Sequence, residues 1–338
     1  VQQIQATHAG GFGGAGFAAI LSNGSVVTWG SNDCGGDSCE VQHRLVNVQR
    51  VQANVGDFCA AFAALLADGS VVTWGDGEYG GDCSAIQGQL QGVKCIQASE
   101  AAFAALRNDG SVITWGHPGY GADSSEVQLA NVDQLQASEE AFAAILQNGS
   151  VVTWGNPKYG GDSTDVQGRL KSVKRIQAST RAFAAILDSG SVVTWGDPGC
   201  GGDSTSAEPR LKCVKHIQAN HFAFAAILDD GSVVTWGHPH YGGDSSNVQH
   251  CLKGVQQIQA SGRAFAAVLF DGSVVTWGHP FEGGDSSSVQ QQLAGVQDIQ
   301  ASQEAFAAVL RDGFVVTWGS ADHGGDSSAV RHQLRPQL

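Results

Sequence analysis

Histidines that recur at one position near the tryptophans are the first candidates for chemistry in this sequence. His117, His238 and His279 each lie two residues after a tryptophan and directly before a proline, and His240 adds a second imidazole to one of these stretches. Two neighbouring imidazoles are potential metal ligands, but a zinc site needs further His, Cys, Asp or Glu ligands at suitable spacing. The sequence shows no such spacing here, so we predict no metal site.

Aspartates form a second recurring set, one in each copy of a glycine-rich stretch. A ring of carboxylates could bind calcium, but one calcium ion needs about six to eight oxygen ligands close together. Asp followed by Ser or Thr is instead typical of a turn or helix cap that accepts backbone N–H bonds. The aspartates are therefore predicted to be structural: Asp37, Asp82, Asp123, Asp162, Asp203, Asp244, Asp285 and Asp326.

Two further patterns have chemical potential. Residues 11–16 fit the G-x-G-x-x-G pattern of dinucleotide-binding loops, but no helix follows them, so they are predicted to be an insertion between two strands. The eight cysteines are scattered within the repeat, and only Cys34 and Cys200 share a position, which leaves free thiols, one or two disulfides and a zinc site open. No Ser-His-Asp or Cys-His set stands out in one copy, so we predict no catalytic residue, no cofactor and no enzymatic activity.

The composition limits the class of partner. The 338 residues carry 32 acidic and 18 basic side chains, a formal net charge of −14 that argues against nucleic acid as a partner. No run of about 18 apolar residues occurs, so no membrane span is predicted. The chain starts at Val1 and contains no methionine, from which we expect a processed or excised form, with its compartment left open.

Tryptophans mark the copies of the repeat. Successive tryptophans are separated by 45, 41, 39, 41, 41, 41 and 41 residues, a period typical of solenoids, propellers and arrays. One tryptophan per copy, within a strand-like stretch, is predicted to pack between adjacent sheets. The set is Trp29, Trp74, Trp115, Trp154, Trp195, Trp236, Trp277 and Trp318.

Each copy contains three short strand-like stretches. In the sixth copy these are HIQAN (216–220), AFAAIL (223–228) and SVVTWG (232–237). Asp230-Gly231 separates the second stretch from the third and predicts a type I′ hairpin turn, in which two residues have positive φ.

The stretch after the third strand connects one copy to the next. It reads GGDSSxVQxxL, and Ser246 and Gln249 have the spacing of a capping box. We expect one helical turn or an irregular crossing segment here. No long helix is predicted anywhere in the repeat.

Three strands in about 41 residues, repeated eight times, predict an all-β fold of the propeller type. We expect eight rather than seven short blades, each of about three strands, in one domain over residues 1–338. A β-helix would need rungs of about 20–30 residues and fewer tight hairpins. Seven blades would leave one apolar hairpin in water.

The stretch AFAAILDDGSVVTWGHPHYGG (223–243) resembles the repeat of the regulator of chromosome condensation (RCC-type) β-propeller family, which carries a D-G turn and a V-x-x-W-G strand. The resemblance extends over the whole chain, once per copy. The loop after Trp-Gly reads GGDSS instead of the family's GQLG, and the copies are shorter. These short blades are similar to those of the bacterial propeller-type β-lactamase inhibitor. The resemblance implies a specific enzyme inhibitor, or a guanine-nucleotide exchange and chromatin-type regulator.

The copies differ mainly in the connection between their first two strands and in the stretch after Trp-Gly. In an antiparallel three-stranded sheet these two stretches lie at the same end, opposite the Asp-Gly turns. One variable end on a constant scaffold is typical of a binding surface. We therefore predict a scaffold that binds a protein partner, alone or within a larger assembly.

Aromatic and basic residues in the variable stretches are the candidate contacts. Such side chains on loops are frequent anchors of protein interfaces. The four tyrosines share one position, five residues after a tryptophan, so they could instead pack on the neighbouring blade as structural plugs. The candidates are Tyr79, Tyr120, Tyr159, Tyr241, Phe281, Phe222, His221, Arg181 and Arg263.

Overall fold

The computed structural model describes residues 1–7, 14–54, 56, 59–330 and 332–334. It contains eight three-stranded antiparallel sheets, which we call blades 1–8 in chain order. The strands of blades 1–4 are β1 Gln3–Ala6, β2 Gly16–Ile20, β3 Val26–Gly30, β4 Val48–Ala53, β5 Ala61–Leu66, β6 Val71–Gly75, β7 Val93–Ala98, β8 Ala102–Arg107, β9 Val112–Gly116, β10 Val132–Ala137, β11 Ala141–Leu146 and β12 Val151–Gly155. The strands of blades 5–8 are β13 Val173–Ala178, β14 Ala182–Leu187, β15 Val192–Gly196, β16 Val214–Ala219, β17 Ala223–Leu228, β18 Val233–Gly237, β19 Val255–Ala260, β20 Ala264–Leu269, β21 Val274–Gly278, β22 Val296–Ala301, β23 Ala305–Leu310 and β24 Val315–Gly319.

The central strand of a blade pairs with both of its neighbours. In blade 6, β16 pairs from Val214 opposite Leu228 to Ala219 opposite Phe224, with one bulge near its start. On the other side of β17, Phe224 lies opposite Trp236 of β18. The alanines of β17 are fully buried, and their small side chains let adjacent sheets pack closely.

Short helical turns follow the third strand of each blade. A 3₁₀ turn, or in blade 2 a five-residue π-type turn, comes directly after Trp-Gly, and several crossing segments contain a second 3₁₀ turn. The brief crossing turns predicted from the sequence are thus confirmed. The turns are Asn32–Cys34, Gln42–Arg44, Gly77–Gly81, Ser84–Ile86, Pro118–Tyr120, Pro157–Tyr159, Thr164–Val166, Pro198–Cys200, Glu208–Arg210, Pro239–Tyr241, Pro280–Glu282, Gln290–Gln292, Ala321–His323 and Ser328–Val330.

The predicted hairpin is present, since β17 pairs with β18, but the predicted type I′ turn is wrong. Gly231 has a φ of 76°, but Asp230 does not have a positive φ. The N–H of Gly231 donates to Leu228 O, and the N–H of Leu228 donates to Ser232 O, both at 2.9 Å. This is a three-residue loop in which one left-handed glycine follows a tight turn. Asp230 stays outside the left-handed region because its carboxylate accepts hydrogen bonds from the N–H and hydroxyl of Ser232.

The predicted capping box in the crossing segment is also wrong. The hydroxyl of Ser245, not of Ser246, contacts Gln249, donating to its Oε1 at 2.9 Å. Gln249 Nε2 then donates to the carbonyl of Val233, the first residue of β18, at 3.0 Å. The glutamine therefore fastens the crossing segment to its own blade and holds Leu252 in a fully buried position.

The chain divides into two compact units, Val1–Ser172 with blades 1–4 and Val173–Leu338 with blades 5–8. Within each unit the blades are three-stranded, short and consecutive, which confirms the predicted propeller fold and the count of eight copies. The single domain over residues 1–338 stays a prediction.

Tryptophan, phenylalanine and glycine link neighbouring blades within a unit. Trp236 Nε1 donates to the carbonyl of Gly201 in the preceding blade at 3.0 Å. The Phe224 ring stacks on Trp236 with centroids 5.2 Å apart, and it lies so close to Gly201 that a Cβ there would be 2.6 Å from the ring. Only glycine fits this contact. The same hydrogen bond joins Trp74 to Gly35, Trp115 to Gly80, Trp154 to Gly121, Trp277 to Gly242 and Trp318 to Gly283.

Three remaining sequence predictions can be compared with the structure. All eight cysteines are free thiols, one of the alternatives left open by the sequence. In the described ranges, no helix has the length and apolar character needed to cross a membrane. Half of the glycine-rich stretch 11–16 lies outside the described residues, and the structure describes its last three.

Candidate functional site

The variable stretches of a blade meet at one end of its sheet. In blade 6, Asn220 Nδ2, in the connection between the first two strands, donates to the carbonyl of Tyr241 in the turn after Trp-Gly at 2.6 Å. In blade 7, the hydroxyl of Ser261 donates to the carbonyl of Glu282 at 2.8 Å. The two stretches that vary between copies therefore form one continuous surface within a blade.

Side chains of blades 6 and 7 converge on this surface. The ring of Tyr241 lies 4.9 Å from that of Phe222 and stacks on His238 at 4.3 Å, as measured between centroids. Arg263 Cζ lies 5.7 Å from the Phe222 centroid and 5.3 Å from the Tyr241 centroid. Both contacts have cation–π geometry. We call the following set the blade 6–7 cluster: His221, Phe222, His238, Tyr241, Arg263, His279, Phe281 and Glu282.

A buried carboxylate anchors the cluster. The side chain of Glu282 is 7% exposed, and its Oε1 accepts a hydrogen bond from Arg263 Nη1 at 2.7 Å. His279 Nδ1 lies 3.6 Å from the same oxygen. A carboxylate taken out of water needs a charged or hydrogen-bonding partner. The ion pair therefore fixes the guanidinium of Arg263 against the rings of Phe222 and Tyr241.

Three buried nitrogens of the cluster lack a hydrogen-bond partner. They are His238 Nδ1, Arg263 Nε and His279 Nδ1. Among the described residues, no other buried side-chain nitrogen or oxygen lacks a hydrogen-bond partner. Buried polar groups are nearly always hydrogen-bonded, and each unpaired one costs about 1–3 kcal/mol. Their concentration in one cluster distinguishes this place from the rest of the scaffold.

The repeated histidine position is used differently in different blades. His117 Nδ1 accepts a hydrogen bond from the backbone N–H two residues later at 3.2 Å and so caps its turn. His238 and His279 form no such cap. His238 instead stacks on Tyr241, and His279 faces Glu282. These two imidazoles are therefore part of the cluster and do not cap their turns.

The environment also changes the ionisation of His221. Burial lowers the pKa of this imidazole, the positive charge of Arg263 acts in the same direction, and Glu282 opposes them. The charged form is disfavoured because it would lose its hydration next to a guanidinium. At neutral pH, His221 therefore adds polar but uncharged surface.

The other candidate contacts have different surroundings. Tyr79 and Tyr120 are partly buried and pack against apolar clusters of the N-terminal unit, the arrangement expected of structural plugs. Tyr159 ends the turn Pro157–Tyr159, and its carbonyl accepts a hydrogen bond from the hydroxyl of Ser138 at 2.8 Å. Arg181 is exposed in the first connection of blade 5.

The eight recurring aspartates all have the same local contact. Each carboxylate accepts a hydrogen bond from the backbone N–H two residues later, at 2.8–3.0 Å. Hydrogen bonds from that residue lower the pKa of all eight carboxyls. In the part of the chain that the structure describes, no three His, Cys, Asp or Glu side chains form a group that could hold a metal ion.

Sequence reasoning missed Glu282. This residue occupies the position at which four other copies have a tyrosine, and it directly follows Phe281. The signal for it in the sequence was a carboxylate at a position where other copies have a tyrosine, in the same blade as Arg263. The sequence did not show that the two variable stretches would place these charges 2.7 Å apart.

No protein-family model and no curated protein matches the chain. Similar solved structures include the CRINKLY WD40 ectodomain of the Arabidopsis thaliana receptor kinase ACR4, 19% identical over 82% of this chain and 98% of that chain, with a TM-score of 0.44. The entire ectodomain of the Physcomitrella patens receptor kinase CR4 is 17% identical over 81% and 74%, with a TM-score of 0.47. Prp20p from Saccharomyces cerevisiae, described with its binding to Gsp1p and histones, is 16% identical over 67% and 71%, with a TM-score of 0.44. At these identities the likeness concerns the fold alone.

Proposed function

We propose that the protein is a non-enzymatic interaction propeller that binds a protein partner through the blade 6–7 cluster, alone or within a larger assembly. The observation that carries this proposal is the ring of Phe281, which is 80% exposed and lies beside His279 in a cluster that holds three buried, unpaired nitrogens. A partner that covers this ring would remove it from water.

The residue types of the cluster support a protein interface. Tyrosine, tryptophan and arginine are the side chains that most often dominate binding energy. Arg263 is held by Glu282 and in turn orders Tyr241, so these side chains lose little entropy when a partner binds. Burial of the exposed ring of Phe281 would contribute about 1.5–3 kcal/mol.

The same residues argue against catalysis at this surface. The cluster contains no serine, threonine, cysteine or lysine that its histidines could activate as a nucleophile. Its carboxylate, Glu282, is engaged by Arg263. These contacts support a binding role rather than an acid–base or nucleophilic one.

The proposal can be tested by quantitative affinity capture. Wild-type protein and single variants are immobilised, companions from the native source are identified by mass spectrometry, and binding is then measured with the purified companion. We expect Phe281→Ala to weaken binding by about tenfold or more. Phe270→Ala is the matched control, because Phe270 is 66% exposed in the same blade but lies at the opposite, Asp-Gly end of the sheet.

Either of two results would contradict the proposal. One is unchanged affinity of the companion for Phe281→Ala and for Arg263→Ala, with both variants shown to be folded by circular dichroism. The other is an equal loss with Phe270→Ala, which would place the contact on the opposite end of the blade.

A further inference from the structure

Blade 3 has a shorter crossing segment than the other blades. Trp115 and Trp154 are 39 residues apart, whereas each later interval between tryptophans is 41. The two missing residues fall between Gln128 and Leu129, where blades 2 and 4 have a Gly-Gln and a Gly-Arg dipeptide. The difference is confined to the segment that joins blade 3 to blade 4.

The shorter segment lacks a hydrogen bond that fastens the crossing segments of blades 2 and 4. In blade 2, Gln87 Nε2 donates to the carbonyl of Val71 at 3.0 Å, and in blade 4, Gln167 Nε2 donates to that of Val151 at 2.9 Å. Gln128 is exposed, and no corresponding bond is present among the described residues.

The leucine that follows is also less well packed. Leu90 and Leu170 are fully buried, but Leu129, at the same position of blade 3, is only partly buried. The crossing segment of blade 3 therefore covers less of the neighbouring sheet than its counterparts do.

A cavity of about 860 Å³ lies where this cover is reduced. It is lined by all five residues of the edge strand β12, and by parts of the turn and crossing segment of both blade 3 and blade 4. Val152 and Thr153, in the middle of β12, are partly exposed. We call this cavity the β12 groove.

Apolar packing is interrupted at the same place. Ile86, in the crossing segment of blade 2, packs into one apolar cluster with Ile113 of blade 3. The equivalent residue in blade 3, Val127, joins an apolar cluster that does not include Val152 of blade 4. Val127 and Val152 instead both line the β12 groove.

All charged side chains that line the groove are acidic. Asp123, Glu126 and Asp162 line it, and no lysine, arginine or histidine does. Hydrogen bonds from the backbone and hydroxyl of Ser125 lower the pKa of Asp123, and those from Thr164 lower the pKa of Asp162, so both carboxylates stay ionised well below neutral pH.

We propose that the β12 groove binds an extended, positively charged peptide segment of a partner protein. The five residues of β12 span about 17 Å, a length suited to an extended segment, and edge strands are common sites for such ligands. The partly exposed Val152 provides apolar contact, and the three carboxylates favour lysine or arginine in the segment. The groove lies in the N-terminal unit, so this proposal is independent of the blade 6–7 cluster.

The test uses a labelled basic hexapeptide, Ac-Lys-Val-Arg-Val-Lys-Val-NH₂, in fluorescence anisotropy at low ionic strength. We expect saturable binding to the full chain and none to an acidic counterpart, Ac-Glu-Val-Glu-Val-Glu-Val-NH₂. Insertion of Gly-Gln between Gln128 and Leu129 restores the length found in blade 2, should close the groove, and should weaken binding by about tenfold or more.

Charge variants keep the test decisive if the insertion disturbs folding. Glu126→Gln should weaken binding by about two- to fivefold. Glu40→Gln is the matched control, because Glu40 is exposed at the same position of blade 1, whose crossing segment has full length. Absence of saturable binding, equal binding of the acidic peptide, or equal effects of Glu126→Gln and Glu40→Gln would overturn the proposal.

Discussion

The imidazole of His221 lies near Phe222, with ring centroids 6.0 Å apart, and close to the positive charge of Arg263. Burial, reinforced by this charge, lowers the pKa of His221 in the folded chain. In the unfolded chain the pKa returns to about 6.5. Below that pH the unfolded chain binds a proton that the folded chain resists, so the His221 contribution favours unfolding as the pH falls.

Replacement of His221 by glutamine should therefore reduce the acid sensitivity of the fold. The free energy of unfolding, measured with urea at pH 7.5 and pH 5.5, should fall less on acidification in His221→Gln than in the wild type. His240→Gln, at an exposed position directly before Tyr241, should behave like the wild type. Identical pH dependence in wild type and His221→Gln would contradict the assignment.

At the residue scale, the sequence identified the side-chain types of the cluster but not their contacts. Phe222, Tyr241 and Arg263 stood out as aromatic or basic residues in variable stretches. Their convergence depends on the spacing of neighbouring blades, which no single copy encodes. Glu282 was missed because its importance comes from Arg263, which lies 19 residues earlier in the chain but 2.7 Å away in space.

At the scale of the element, the glycine that ends the turn after Trp-Gly can be constrained in two ways, by its own backbone conformation and by a phenylalanine ring of the neighbouring blade. Gly121 has a φ of 96° and Gly324 a φ of 99°, so both have a backbone conformation that disfavours other residues. A Cβ on Gly121 would also lie 2.6 Å from the ring of Phe142, whereas a Cβ on Gly324 would meet no atom within 4 Å. The two positions separate backbone strain from steric conflict between blades.

Alanine substitution at these two glycines should have unequal effects. Gly324→Ala should cost about 1–2 kcal/mol through its backbone alone. Gly121→Ala should cost about 1–3 kcal/mol more, because Phe142 has to move away from its blade interface. Urea unfolding of both variants provides the comparison, and equal losses would show that the ring contact does not limit packing.

Element positions were predictable, but turn geometry was not. The strands expected at 223–228 and 232–237 are observed at Ala223–Leu228 and Val233–Gly237. Short apolar runs on either side of Asp230-Gly231 and the recurring Trp-Gly signal were enough for that result. The hairpin differed because Asp-Gly is compatible with several turn types, and the choice depends on local bonds between Asp230 and Ser232.

At the scale of the whole molecule, the repeat makes each blade nearly interchangeable with the next. Trp154, Trp195, Trp236, Trp277 and Trp318 are each 41 residues apart. In the C-terminal unit, blades 6, 7 and 8 all meet the preceding blade through the same Trp–Gly hydrogen bond. Repeat proteins of this kind are stabilised by neighbour contacts and not by one shared core.

Removal of one whole repeat should therefore leave a folded chain. Deletion of residues 214–254 removes blade 6 and should allow Trp277 of blade 7 to bond with Gly201 of blade 5, as it does with Gly242 now. We expect the β-sheet circular dichroism per residue and cooperative unfolding to persist. Deletion of residues 214–234, half a repeat, should lower the β-sheet signal per residue and make unfolding less cooperative, since it leaves an unpaired strand. Loss of structure in the first variant would show that the blades are not interchangeable.

The constant spacing from Trp154 onward also has a consequence for inheritance. Within this region, removing or duplicating 41 successive codons preserves the order of strands wherever the cut begins. Misaligned recombination between the coding segments of two copies can therefore add or remove a complete blade without passing through a broken one. We expect the number of blades to change in single steps during evolution, while the surface loops diverge by point substitution.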